Sequence, residues 1–227
     1  MPGIFGIISK RSQEINNKEL KVMSESLHSE PFYHSGNLAI ADCGVYVGWA
    51  CHEGAFCDCL PIQNEKKDIT LIYSGENFND PEQMDEIKKR NHTYEKKNAS
   101  YIVHMYEEWG KDLFAMLNGN FHGLLIDRLN RKVILFNDRY GLQRLYYYEG
   151  EDAFYFSTEA KAILRVFPPE SRRIDMPGLA EFFSYRCVLD NRSLFQNIFL
   201  LPGGSLWIFK EDGRVDKKTY FHPLVLE

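Results

Sequence analysis

The stretch "NDRYGLQRLYYYEG" (residues 137–150), followed closely by "FSTEAKAIL" (156–164), indicates a turn, two strands and a helix in succession. Asn, Asp and Gly favour the turn, and the three consecutive tyrosines that follow favour an extended strand. The segment "EGED" is a further turn signal, so we expect an antiparallel hairpin. The predicted elements are strands 144–148 and 153–157 and a helix over 158–165, with Ser157 or Thr158 as its cap.

Asp138 and Arg139 stand at the start of this turn. A short carboxylate side chain in a turn readily accepts hydrogen bonds from the backbone N–H groups that follow it. We therefore predict a structural role for both residues, in which they pair locally or with the backbone of the turn.

Outward from this segment, strands and helices come in runs rather than in strict alternation, which is typical of the α+β class. No linker or repeat interrupts the chain, so we expect residues 1–227 to form a single domain. Asp175 is the expected cap of the last helix. Further strands are predicted at 3–9, 45–50, 69–74, 121–127, 132–136 and 204–209, and further helices at 17–27, 82–90, 99–117 (interrupted at Gly110) and 176–184.

The composition is that of an ordinary globular protein, with 44% hydrophobic and 26% charged residues among 227. The net charge of −5 argues against a nucleic-acid partner. No apolar run is long enough to cross a membrane, and no secretory leader is evident. Five cysteines, an odd number, favour reduced thiols, so we expect a cytoplasmic protein.

The chain opens with "MPGIFGIIS" (1–9), an unusually apolar start, since termini are commonly polar and frayed. This pattern predicts a buried strand that begins almost at the first residue, and the resemblance described next explains it.

Three long segments carry a resemblance to the glutaminase domain of the asparagine synthetase family. They are the opening stretch 137–164, "MYEEWGKDLFAMLNGNFHGLLIDRLNRKVIL" (105–135) and "SLFQNIFLLPGGSLWIF" (193–209). Order and spacing agree from residue 1 to about residue 222. The resemblance implies a class II glutamine amidotransferase with the N-terminal-nucleophile hydrolase fold, a four-layer αββα sandwich.

In that family the chain opens Met-Cys-Gly-Ile-x-Gly, and removal of Met exposes a cysteine that attacks the glutamine amide. Gly3, Ile4 and Gly6 keep the pattern here, but residue 2 is Pro. Proline offers neither thiol nor hydroxyl, so the resemblance implies that Pro2 is a degenerate nucleophile position.

The other residues of the family's glutamine pocket are also changed. Ser74 replaces the Asn of an Asn-Gly-Glu oxyanion motif, and losing one such donor costs about 3 to 4 kcal/mol. Ala99 stands where an Asp holds the substrate amine, and Cys51 (or Ala50) where an Arg holds its carboxylate. The resemblance thus implies a vestigial pocket and a degenerate glutaminase. The pocket residues are Cys51, Ser74, Gly75, Glu76 and Ala99.

The segment "CHEGAFCDC" (51–59) places Cys51, His52, Cys57 and Cys59 close together. Zinc is one interpretation, but the spacing fits no zinc template, so small buried cysteines are preferred. Cys51 as a substitute nucleophile and Pro2 as a base remain open alternatives. Glu76 could bind a cation or be kept for hydrogen bonding in its loop.

We expect no resident cofactor or metal, and we interpret the run "KKRNHTYEKK" (88–97) as a solvated surface. In the family, a segment like the turn at 138–139 lies near a second domain, so a contact role there is also open.

The resulting functional hypothesis is an amidotransferase-like domain without glutaminase activity. It would dock to an ATP-dependent amide-forming ligase of the asparagine, beta-lactam or peptide-cyclising type, in cis or in trans. The family's ATP-binding Ser-Gly-Gly-x-Asp-Ser loop is absent from these 227 residues. The alternatives are a small-molecule binding module that uses the remodelled pocket, and a residual enzyme.

Overall fold

A computed structural model describes residues 3–27, 30–78, 80–89, 92, 94 and 98–226 of the chain. Two units are distinguished within it. Unit 1 consists of Met1–Ala50 and Arg144–Pro202, and unit 2 of Cys51–Gln143 and Gly203–Glu227. None of the described helices is long and apolar enough to cross a membrane.

Unit 1 is built on a six-stranded antiparallel sheet in which the N-terminal strand β1 is interior. Glycine and branched apolar residues let this strand pack tightly, and it pairs with β3 on one side and β9 on the other. Phe5 and Ile7 of β1 pack with Leu20 and Met23 of α1, so the strand's side chains form the centre of this core. The sheet order is β10-β8-β9-β1-β3-β2, with β1 (Gly3–Ser9), β2 (Tyr33–Ile40), β3 (Val45–His52), β8 (Tyr146–Glu149), β9 (Ala153–Ser157) and β10 (Phe199–Leu200); the helices are α1 (Gln13–Leu27), α5 (Ala160–Val166) and α6 (Met176–Tyr185).

The two predicted helix caps of unit 1 have different outcomes. Asp175 caps α6 as predicted, because its side chain accepts a hydrogen bond of 2.6 Å from the N–H of Gly178. The predicted cap of α5 is wrong. That helix begins at Ala160 after an uncapped Glu159, and the Ser157 hydroxyl accepts the N–H of Glu159 before the helix starts.

Unit 2 is built on a second six-stranded antiparallel sheet whose longest pairing, over nine residue pairs, is between β5 and β6. Aromatic side chains fill one face: the Tyr73 and Phe121 rings stack 5.5 Å apart, and Phe114 contacts Phe136 at 4.7 Å. The order is β12-β11-β7-β6-β5-β4, with β4 (Ile62–Gln63), β5 (Ile69–Asn77), β6 (Gly119–Asp127), β7 (Lys132–Asn137), β11 (Ser205–Lys210) and β12 (Val215–Thr219); the helices are α2 (Pro81–Lys89), α3 (Tyr101–Trp109) and α4 (Leu113–Met116).

The turn after β7 is organised by the buried carboxylate of Asp138. Its Oδ1 accepts the N–H groups of Tyr140 and Leu142 at 3.0 and 3.1 Å, and its Oδ2 accepts that of Gln143 at 3.4 Å. Arg139 donates to the carbonyl oxygen of Ala115 at 3.1 Å. The predicted pairing of Asp138 with the backbone of its own turn is confirmed, while Arg139 pairs outside that turn.

Every predicted strand and helix is present, and the predicted break at Gly110 separates α3 from α4. The four strands that the sequence did not predict, β2, β4, β10 and β12, are the four edges of the two sheets. Two of them have only two residues, and β2 and β12 carry polar, largely exposed side chains. Edge strands of this kind lack the apolar pattern from which strands are predicted.

One prediction about the surface is wrong for His92. We interpreted the run at 88–97 as solvated, and residues 90, 91, 93 and 95–97 of it lie outside the described part of the chain. The His92 side chain is only 16% exposed and contacts the carboxylates of Glu107 and Glu108.

Replacing Asp138 with Ala should lower the free energy of unfolding by about 3 kcal/mol or more, because three backbone N–H groups lose a charged acceptor. Urea unfolding followed by tryptophan fluorescence measures this loss. Asp138→Asn, which keeps one acceptor oxygen, should cost less. Asp85→Ala, on the exposed face of α2, is the matched control and should leave the unfolding midpoint unchanged. A midpoint for Asp138→Ala equal to that of the control would contradict this role.

Candidate functional site

The nucleophile position of the resemblance, Pro2, lies outside the described residues. The strand that follows it begins at Gly3, where a Cβ atom would lie 2.3 Å from Cγ2 of Thr158. Thr158 is fixed there because its N–H donates to the carbonyl oxygen of Ile4 at 3.0 Å. Glycine is therefore required at residue 3 by close packing within unit 1.

Cys51, the first residue of unit 2, is buried beside a carboxylate. Its Sγ lies 3.7 Å from Oδ1 of Asp58, whose Oδ2 accepts the N–H of Gly54 at 2.6 Å. Burial, together with the charges of Cys57 and Asp58, raises the pKa of the Cys51 thiol to about 12. At this position the pocket thus presents a neutral thiol next to a negative charge.

Gly75 follows Ser74 on β5 and has a backbone that only glycine adopts readily, with φ of +111°. A Cβ atom at this residue would lie 2.1 Å from the carbonyl oxygen of Asn120. Burial raises the pKa of the Cys57 thiol, and a hydrogen bond from the backbone N–H of Gly75 opposes that rise. The sulfur of Cys57 is therefore close to the N–H of Gly75.

Ser74 is buried and lies opposite His122 in the β5–β6 pair. His122 is itself only 1% exposed, and neither ring nitrogen makes a hydrogen bond of normal geometry within the part of the chain that the structure describes, although the backbone of Gln143 is close enough to oppose the fall in the pKa of the ring. Burial lowers the pKa of this imidazole to about 4, so it is neutral near pH 7. Glu76, the next residue but one on β5, is exposed.

Ala99 is completely buried just before α3. Its N–H donates to the carbonyl oxygen of Phe56 at 2.9 Å, and its own carbonyl oxygen accepts the N–H of Ile102 at 3.1 Å. The Phe56 ring also packs edge-on against Tyr73 and Tyr101. A methyl group, with no charge, therefore occupies this position.

Three of the predicted pocket residues are brought together by one short loop, residues 54–59. Phe56 bonds to Ala99, Cys57 lies close to Gly75, and Asp58 contacts Cys51. Ser74 and Glu76 lie near this group because they flank Gly75 along β5.

The sequence reasoning missed Asp58 and His122, and it considered Cys57 as a small buried cysteine or a zinc ligand but not as a neighbour of Gly75. The density of cysteines in "CHEGAFCDC" was the available signal, and buried thiols are indeed what the structure shows at Cys51 and Cys57. No disulfide joins any of the five cysteines, all of which the structure describes.

Comparison with known proteins identifies the family of the chain. A family model described as "Glutamine amidotransferase domain" matches residues 1–221. Asparagine synthetase (glutamine-hydrolyzing) 1 of Bacillus subtilis is 24% identical over 97% of this chain and 35% of its own length. A putative asparagine synthetase 2 of Methanocaldococcus jannaschii is 26% identical over 70% of this chain and 31% of its own.

Solved structures give the fold. An allosteric regulatory enzyme of purine biosynthesis superposes with a TM-score of 0.66 at 13% identity, covering 95% of this chain and 48% of that one. The glutamine phosphoribosylpyrophosphate amidotransferase of Bacillus subtilis gives a TM-score of 0.63 over the same shares. The predicted fold class, α+β with the N-terminal-nucleophile hydrolase fold, is confirmed.

The chain belongs to the glutamine amidotransferase domain family, class II, and its curated relatives are asparagine synthetases. It spans about a third or less of the length of the relatives it matches.

The Cys51 thiol should resist alkylation, since a pKa of about 12 leaves about one thiolate in ten thousand at pH 8. Iodoacetamide treatment followed by peptide mass spectrometry should label the exposed Cys187 first and leave Cys51 unmodified until urea is added. Preferential labelling of Cys51 in the folded protein would show instead that this thiol is activated.

Proposed function

We propose that this chain is an asparagine synthetase-like amidotransferase domain that does not hydrolyse glutamine and that docks to an ATP-dependent amide-forming ligase. It would act in the cytoplasm as one domain, with the ligase on the same chain or on a separate one. The ligase is of the asparagine, beta-lactam or peptide-cyclising type.

The main observation in support is that residues of the loop 54–59 lie against the predicted pocket residues. The Gly75 N–H, which the family resemblance assigns to the oxyanion, is close enough to the sulfur of Cys57 to oppose the rise in the pKa of that thiol. Such a donor stabilises a transition state only when it is aimed at the oxygen that becomes charged. The sulfur would compete with a glutamine amide oxygen for this donor.

Charge in the pocket also disfavours a free amino acid. A substrate carboxylate near Cys51 meets the negative Asp58 rather than a cation, and a substrate ammonium near Ala99 meets a buried methyl group. Charged groups that enter a pocket without partners cost several kcal/mol each. Glutamine is therefore bound poorly as well as left unreacted.

Cys51 does not offer a substitute nucleophile. Nucleophilic cysteines have a lowered pKa, produced by a nearby cation, a helix N-terminus or a base. Burial and the Asp58 carboxylate have the opposite effect on Cys51.

An exposed apolar face on α6 supports the docking role. Gly178 is the one buried residue of this ten-residue helix. Phe183 is 77% exposed, and Tyr185 and Met176 are each 66% exposed. Ile174 and Leu189, beside the helix in sequence, are also exposed. Exposed apolar residues grouped on one helix commonly mark a protein–protein contact.

The ligase is the partner we assign to this face. The relatives of the chain are synthetases of which it covers 35% or less, so most of each relative's length lies in other segments. Aromatic side chains such as those exposed on α6 often contribute most of the binding free energy at protein–protein interfaces.

Restoring the nucleophile alone should not restore activity. Pro2→Cys, with removal of Met1 checked by mass spectrometry, should release no more ammonia from glutamine than the unmodified protein, because the oxyanion donor and the charge partners are still lacking. A coupled glutamate dehydrogenase assay measures the ammonia.

The reactivity of the introduced thiol is the control for this variant. The introduced thiol at position 2 should react with iodoacetamide but not with the glutamine analogue 6-diazo-5-oxo-norleucine. Measurable glutamine turnover by Pro2→Cys would contradict the proposal that the pocket is inactive.

Changing the α6 face should weaken docking. Phe183→Ser combined with Tyr185→Ser should reduce affinity for the ATP-dependent ligase of the same or the adjacent gene by at least about tenfold, because aromatic anchors are lost. Isothermal titration calorimetry with both full-length partners measures this.

Leu129→Ser is the matched control, since Leu129 is equally exposed, at 77%, on the β6–β7 turn of unit 2. Affinity retained by the double variant, or lost equally by the control, would contradict docking through α6.

A further inference from the structure

Four side chains of unit 2 gather beside the first turns of α3, and two of them are imidazoles. They are Glu65, His92, His104 and Glu107, and their candidate ligand atoms all lie within 4.8 Å of one another. We propose that these residues form a zinc site with two histidine and two glutamate ligands. No metal was expected from the sequence, where Glu65 and His92 are each well separated from the His104–Glu107 pair.

The distances between the atoms suit a tetrahedral ion. Zinc–ligand bonds of about 2.0–2.2 Å place the ligand atoms about 3.4 Å apart. Nδ1 of His104 lies 2.9 Å from Oε2 of Glu107 and 3.8 Å from Oε2 of Glu65. Nδ1 of His92 lies 3.8 Å from that same oxygen of Glu107. These separations bracket the tetrahedral value, so small side-chain shifts complete the site.

Neighbouring groups orient two of the ligands as they do in known metal sites. The second ring nitrogen of His92, Nε2, lies 2.9 Å from Oε1 of Glu108. The second oxygen of Glu107, Oε1, accepts a hydrogen bond of 2.9 Å from Nδ2 of the buried Asn64. Metal-binding histidines and carboxylates are commonly held by such outer partners, which fix the ring and leave the inner atom for the ion.

Burial and charge favour zinc over a hard cation. The side chain of His104 is 4% exposed, and those of His92 and Glu107 are 16% and 17% exposed. Glu65 is 57% exposed, which provides a route for entry. Two carboxylates balance the charge of Zn²⁺, whereas Mg²⁺ and Ca²⁺ prefer oxygen ligands alone.

Four protein ligands leave no open position, which is typical of a structural zinc rather than a catalytic one. Glu65 lies in the turn before β5, His92 lies between α2 and α3, and the remaining two ligands lie on α3. A bound ion would therefore tie these three segments of unit 2 together.

The experiment is a zinc titration of the full chain after chelator treatment and desalting. We expect one equivalent of Zn²⁺ by calorimetry and a higher thermal unfolding midpoint, because the ion binds only the folded chain. His92→Gln and Glu65→Gln, at positions open enough to tolerate the change, should abolish both effects. Glu108→Gln, which removes an outer partner, should weaken binding about 10- to 100-fold.

His52→Gln is the control, since His52 is exposed and lies outside the cluster. It should bind zinc as the unmodified chain does. Co²⁺ in place of zinc should give no thiolate-to-metal charge-transfer band. Absence of zinc binding at micromolar concentration, binding that survives both His92→Gln and Glu65→Gln, or a thiolate band from the cysteines would each overturn the proposal. None of these results depends on glutaminase activity.

Discussion

The buried carboxylate of Asp138 is the constraint on which the arrangement of unit 2 depends. A charge out of water is tolerated only when hydrogen bonds replace its hydration, and here three amides of the following turn do so. The main-chain oxygen of the same residue accepts the N–H of Gly204, and Asn137 accepts that of Ser205. The turn after β7 and the start of β11 are thereby fixed to each other. Burial and this charge together raise the pKa of Tyr220 well above its usual range, so its hydroxyl remains a donor to Asn137.

A scaffold held in this way can persist while the chemistry of its pocket changes. The β5 strand still presents glycine where a backbone amide must be approached closely, since any side chain at Gly75 would collide with Asn120. In the loop before it, Phe56 contacts Ala99 and Asp58 contacts Cys51. Packing between β5 and β6 therefore fixes the residue type at position 75, whatever side chains surround it.

The sequence predicted interior strands well, because burial on both sides imposes apolar residues that are easily recognised. It did not predict the edges such as β2 and β12, where solvent permits almost any side chain. In the pocket, substitutions could be recognised by resemblance, but the role of Asp58 could not. Asp58 lies close to Cys51 because of the conformation of a loop, and loop conformation produces no periodic pattern in the sequence. The His92–His104 pair was missed for the same reason, since only the fold brings the two rings to 4.7 Å.

The neutral imidazole of His122 gives the domain a built-in response to acid. Its pKa in the folded chain is about 4, below the 6.5 of an exposed histidine, so the unfolded chain takes up the proton more readily. The free energy of unfolding therefore decreases as the pH falls from about 6.5 towards 4, and this histidine does not lower it above that interval. Because His122 pairs with Ser74 across β5 and β6, acidification acts on two interior strands of the sheet.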